Sequence, residues 1–154
     1  MNKAAAETYQ LQQIMAASPA RRVAMLFDKA ISCLNDAIRA IEAGDIEARW
    51  RANKRAMEIV EYLWTTLDME KGGEIAANLE KLYHFLLTKM PDIDLHNNAQ
   101  TARDAIGILE PLRRSWHTVA DRANPAQPEA AKPAAETKKT EDKGGATSTI
   151  ALSA

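Results

Sequence analysis

Three histidines, one cysteine and a few clustered arginines are the side chains from which this sequence could build chemistry. A hydrolytic zinc site needs imidazoles paired on one helical face. His84 stands alone, and His96 and His117 lie far apart without HExxH-like spacing, so surface histidines are the reading and no metal site is expected. Cys33 would act as a nucleophile only as an exposed thiolate in a positive environment. Its neighbours Ala30, Ile31 and Leu34 mark it instead as a small, buried, inert residue. Gly72-Gly73 has no strand before it and no GK[ST] after it, so it reads as a tight turn and not as a phosphate cradle. Arg49, Arg51, Lys54 and Arg55 form the densest basic cluster, but Glu47 and Glu58 interleave at i,i+4 spacing. Intrahelical pairing on a solvated face is therefore expected in place of RNA contact. Arg49 and Arg113 alone fall inside apolar arcs. A small all-helical enzyme would gather more cations around an anionic substrate, and each of these two is expected to snorkel from a core edge. No catalytic residue and no cofactor is assigned.

Composition narrows the partners further. Twenty basic against 21 acidic side chains leave a formal charge of −1, so no global positive field exists to hold nucleic acid or an anionic membrane. With 154 residues, 46% hydrophobic and 27% charged, the chain suits one globular domain. A single cysteine allows no intrachain disulfide and fits a reducing cytoplasm. Met1 to Gln10 has no apolar h-region, and no run of 18 apolar residues exists, so neither a cleaved signal nor membrane insertion is expected.

The elements that must position these residues are helices. Ser18-Pro19 is a helix start, because the hydroxyl accepts an orphan backbone N–H and proline loses nothing at the first helical position. Val23, Leu26, Phe27, Ala30, Ile31, Leu34, Ile38 and Ile41 then recur at three- and four-residue steps until Gly44, with Asp45 capping the next helix. From Ile46 to Leu67 the charges Glu47, Arg51, Lys54, Glu58 and Glu61 form one solvent stripe. Gly72-Gly73 breaks the chain. Ile75, Leu79, Leu82, Tyr83 and Leu86 then carry a third helix to about Met90, where Pro91 ends it. A fourth helix is expected from near Asp94, with an interruption and a kink at Gly107 and Pro111 before Leu112, Trp116 and Val119.

No segment alternates apolar and polar residues as a strand would. The expected fold is all-α: an antiparallel four-helix bundle over residues 18–123, preceded by a short extra N-terminal helix within residues 1–17. Residues 124–154 carry Pro125, Pro128 and Pro133 and a run of Ala, Glu, Lys and Thr without an aromatic, and are expected to form a disordered tail.

Apolar surface exceeds what one bundle seam requires. On the second helix Ile46, Trp50, Met57, Val60, Trp64 and Leu67 form one flank and Ala52, Ala56, Ile59 and Leu63 another. Phe85 lies off the main stripe of the third helix, and Met25 on the polar side of the first. Such surface invites a partner, although a helix touching two neighbours also needs a wide arc.

Particular residues carry a resemblance. Thr66-Leu67-Asp68, then Gly72-Gly73-Glu74-Ile75-Ala76, Asn78-Leu79 and Leu82-Tyr83 resemble the central signature of the flagellin-specific export chaperones, the FliS family. Tyr9, Ala17-Ser18-Pro19 and Met25-Leu26-Phe27-Asp28 are similar to its opening, and Leu112-Arg113 with Trp116 to its close, so the likeness spans about residues 9–119. Arg21-Arg22 departs from the family's acidic first turn and sits against the helix dipole. Phe27 replaces a frequent tyrosine, Lys29 a frequent glycine, and Pro91 to Asn98 lack the common pattern.

The resemblance implies a cytoplasmic bundle, a monomer or weak homodimer, that holds the C-terminal segment of flagellin, prevents its polymerisation and delivers it to the flagellar type III export gate. It implies flagellin-binding roles for Tyr9, Ile14, Ala17, Ser18, Pro19, Met25, Leu26, Ile59, Leu63, Leu67, Leu79 and Tyr83. Residues 1–17, with Tyr9, Leu11 and Ile14 as an apolar face, would act as a removable lid. The rival readings are a helical adaptor for another secretion substrate or regulator, and a small all-helical enzyme in which Arg49 and Arg113 would converge in one cavity.

Overall fold

The computed structural model describes residues 2–122, with the side chain of Ile14 excepted. Six helices follow one another: α1 (Lys3–Ala16), α2 (Pro19–Ala43), α3 (Ile46–Thr65), α4 (Met69–Lys89), α5 (Pro91–Leu95) and α6 (Ala99–Arg122). No strand occurs among the described residues, and the architecture is the expected all-α bundle, with α2, α3, α4 and α6 as its long members. The tail expected over residues 124–154 lies outside the described residues.

Local chemistry sets most helix ends. Ser18 Oγ accepts from the Arg21 N–H at 3.1 Å with Pro19 in the first helical position, and Gly44 closes α2 at φ 71°. Asp45 caps α3 by accepting from Ala48 N–H at 3.0 Å. The connections from α2 to α3 and from α3 to α4 are so short that consecutive helices must double back.

Alanines govern the packing of α2. Ala20, Ala24, Ala30, Ala37 and Ala40 are buried along it, with Phe27 and Leu34 as the large side chains of the centre. Small side chains let backbones approach closely, and α2 accordingly packs along much of its length against both α3 and α6. The core closes with Val60, Leu63, Tyr83, Leu86, Met90, Ile93, Ala102, Ala105 and Leu109.

Four expectations need correction. The Gly72-Gly73 break lies inside α4, one turn after a start capped by Asp68, which accepts from Lys71 N–H at 2.9 Å. Gly73 adopts φ 51°, ψ −128°, a conformation closed to L side chains, and a Cβ on Gly72 would lie 2.5 Å from that of Ala76. The fourth long helix starts at Ala99 and not near Asp94, because the separate helix α5 intervenes and Asn97 turns left-handed at φ 52°. Asn98 Oδ1 then accepts from the N–H groups of Gln100 and Thr101, so Leu95, expected in the stripe, is 75% exposed.

Nor is α6 interrupted: it crosses Gly107 and Pro111 as one element. These residues stand four apart, so the carbonyl that the proline ring crowds belongs to the least hindered residue, and both positions are exposed to water. Finally, Arg49 does not snorkel. Its side chain is largely buried, and it donates to Asp94 at 3.0 Å and to Asn97 at 2.8 Å.

Arg49 belongs to the tie that seats α5. Beside it, fully buried Asn53 donates through Nδ2 to the Met90 carbonyl at 3.0 Å and to Asp94 Oδ2 at 2.7 Å, while its Oδ1 has no partner among the described residues. Both available acceptors face the amide nitrogen, which fixes its orientation. Removing it leaves a carbonyl and a carboxylate short of a donor. Asn53→Ala is therefore expected to destabilise the bundle by about 1–3 kcal/mol in urea unfolding.

Asp92 performs the corresponding task for α6. Hydrogen bonds from His96, Thr101 and Asn98 hold its carboxyl below the ordinary carboxylate value. A carboxyl so lowered in the folded state stabilises it at neutral pH, and that contribution disappears as pH falls through the lowered value. Asp92→Asn is expected to flatten the acid side of a stability-against-pH curve without altering its shape above pH ~6.

Candidate functional site

An open trough of about 1040 Å³ is bounded by α1, α2 and α3. On α2 the residues Arg22, Met25, Leu26, Lys29 and Ser32 line it at three- and four-residue steps, and on α3 Arg55, Glu58, Ile59 and Tyr62 do the same, with Thr66 at the helix's C-cap. The antiparallel course of the two helices merges these stripes into one apolar floor of Val23, Met25, Leu26 and Ile59 with a polar rim. Pro19 lies at one end, and Gln10 and Gln13 of α1 form the third wall.

The residues expected to bind a partner separate into three groups. Pro19, Met25, Leu26 and Ile59 come together in the trough. Leu63 and Tyr83 are 2% exposed and belong to the core, with Leu67 and Leu79 packed partly buried against it. Burial pushes the Tyr83 hydroxyl far above its ordinary pKa. Ala17 and Ser18 form the entry to α2, where the Ala17 carbonyl accepts from Arg22 at 2.9 Å. Tyr9 is 62% exposed and its hydroxyl accepts from Gln13 at 3.2 Å. Ile14 lies in α1, its side chain outside the described part.

The phase of α1 differs from the expected one. Gln10 and Gln13, three residues apart, face the trough, whereas Tyr9, Leu11 and Met15 face water. The doubled stripe of α3 is also largely accounted for: Ala56, Ile59 and Leu63 are buried, as is Val60, and α3 packs against both α2 and α4. The apolar surplus lies instead in the trough, on α1, at Ile46 and Trp50, and at Phe85 and Leu95 beside a smaller groove of about 480 Å³ between α4, α5 and α6.

Tyr62 on the rim, 57% exposed, was not singled out by the sequence; its i,i+3 spacing from Ile59 was the available signal. Arg21 was another omission. It donates to His117 Nδ1 at 3.1 Å and pairs with Asp121, while His117 Nε2 lies 2.9 Å from Asp28, which also accepts from Arg113 at 3.3 Å. The N-terminal cation thus offsets its poor place on the helix dipole through the end of α6. Arg113 pairs with Glu110 as well, and this hydrogen bond holds the Glu110 carboxyl low.

Arg49 and Arg113 serve these separate ties, Asp94 for one and Glu110 with Asp28 for the other. No group of three or more His, Cys, Asp or Glu side chains able to hold a metal occurs among the described residues. No helix of the described residues is long and apolar enough to cross a membrane.

The fold and site are those of an alanine-seamed helical bundle with an open, apolar-floored trough. A family model described as "Flagellar protein FliS" matches residues 1–123, and the chain belongs to that family of flagellar secretion chaperones. It is 36% identical over 123 residues to the flagellar secretion chaperone FliS of Salmonella typhimurium, covering 79% of this chain and 91% of that relative. Against the Vibrio cholerae protein of the same description, identity is 33% over 107 residues, covering 70% and 79% of the two chains. Against the Campylobacter jejuni protein it is 32% over 126 residues, covering 82% and 98%.

Cys33, 5% exposed, takes no part in the trough lining, and burial pushes its thiol up. A thiol so placed reacts only when the helix opens. Its modification by an aromatic disulfide reagent is expected to be at least 100-fold slower than in urea-unfolded chain, with the rate rising at the unfolding transition.

Proposed function

We propose that this chain is an export chaperone that acts in the cytoplasm, holds the C-terminal segment of flagellin in the α1–α2–α3 trough, and delivers it unpolymerised to the flagellar export gate. The observation that carries the reading is an open apolar floor walled on one side by glutamines, beside a terminal helix whose own apolar residues are unburied. An unfolded amphipathic segment would dock there as a helix with anchors at i, i+3, i+4 and i+7. Each large side chain it buries contributes about 1.5–3 kcal/mol, so a few anchors outweigh an ordering cost of about 2–5 kcal/mol.

In this reading residues 1–17 form a removable lid and residues 18–123 the chaperone domain. All side chains of α1 described by the structure are exposed. A segment held so lightly yields to an occupant with a better apolar face. Pro19, Met25, Leu26, Ile59 and Tyr62 are the residues that meet flagellin directly. Leu63, Leu67, Leu79 and Tyr83 support the α3–α4 side from within.

Flagellin lacking its C-terminal segment is expected to lose binding in calorimetry, and retained affinity would overturn the proposed mode. Met25→Ser combined with Tyr62→Ser should weaken the intact client tenfold or more while the bundle still unfolds cooperatively. Deleting residues 2–16 is expected to tighten binding about threefold to tenfold, as lid displacement no longer opposes it. Unchanged affinity rejects the lid.

A further inference from the structure

Two cations on the rim of the trough are unmatched. Arg51 pairs with Glu47, Lys54 lies 3.9 Å from Glu58, which itself lines the trough, and Arg22 donates to the Ala17 carbonyl. Asp28 is engaged by His117 and Arg113. Lys29 on α2 and Arg55 on α3 line the same trough, are exposed, and make no hydrogen bond or ion pair with any described residue. They stand on the two helices, α2 and α3, that border the trough.

The wall that α1 supplies does not answer this charge. Gln10 and Gln13 are its trough-lining residues, and an amide cannot neutralise an ammonium or a guanidinium. We propose that the trough selects an amphipathic helix bearing carboxylates along the flank that meets Lys29 and Arg55, so that charge complementarity, added to apolar burial, favours the client over α1. This deepens the preceding reading and rests on it. Arg55 can take a carboxylate bidentately, and Lys29 acts as a point charge on the opposite wall. The apolar floor supplies most of the affinity, while the two cations set the preferred flank and speed encounter.

The test uses the full chain and two probes: the C-terminal segment of a flagellin from the same cell, and that segment with every aspartate and glutamate changed to its amide. The acidic probe is expected to bind about threefold to tenfold more tightly at low salt, with the advantage shrinking as salt rises. In Lys29→Glu/Arg55→Glu the advantage should vanish or invert, while the amide probe is bound as before. Both side chains are exposed and unpaired, so this variant should keep its helicity and melting temperature; Lys29→Gln/Arg55→Gln replaces it if it fails to fold. Equal affinity for the two probes, or a loss in the variant that is the same for both, overturns this proposal alone. Binding of neither probe overturns the flagellin reading together with it.

Discussion

The arrangement depends on the alanine-lined seam of α2. Without bulk at Ala20, Ala24, Ala30, Ala37 and Ala40, that helix can take both α3 and α6 at close range. Two neighbours occupy most of its circumference, and the remaining arc, which carries Met25, Leu26 and Lys29, opens into the trough between the rim of α3 and α1. The trough is therefore a consequence of how α2 is shared. A bulkier seam would push α3 away and widen or erase the floor to which Ile59 contributes.

Polar ties decide where the rest of the bundle sits. Asn53 and Arg49 reach from α3 to Met90 and Asp94, in a region where an unpaired group would carry its full desolvation cost. Along the α2–α6 seam, Arg21, Asp28, Arg113, His117 and Asp121 connect the start of one helix to the end of the other. The imidazole accepts from Arg21 at Nδ1 while Nε2 faces the Asp28 carboxylate, an arrangement suited to the neutral ring with its proton on Nε2. Asp28 also borders the trough, so this network stands directly behind the proposed binding surface.

A groove meant for a foreign helix must avoid both collapse and permanent occupation. Here the floor is braced by the packed α2–α3 pair, so it persists without a client, while α1 lies across one side with glutamines inward and Tyr9, Leu11 and Met15 outward. On the proposed reading this mismatch is useful: a covering segment that buried its own apolar face would compete too well.

Helix class, the Ser18-Pro19 start, the Gly44 and Asp45 boundary and the buried character of Cys33 were legible in the residues themselves, because capping and amphipathic periodicity are local. So were the motif residues that pointed to the family. Spatial partnership was not legible. Arg49 reads as an edge residue until Asp94 is folded against it, and Arg21 as a misplaced charge until α6 brings Asp121 and His117 to it. Leu63 and Tyr83 share periodicity with residues that could line a groove, and only the placement of α3 between α2 and α4 commits them to the core. The phase of α1 is of the same kind, since a helix this weakly amphipathic can present either face until a neighbour selects one. The sequence by itself determined which segments are helical and where they end; the tertiary structure decided which of their faces are buried and which remain for a partner, because helix ends are set by neighbouring residues and burial by distant ones.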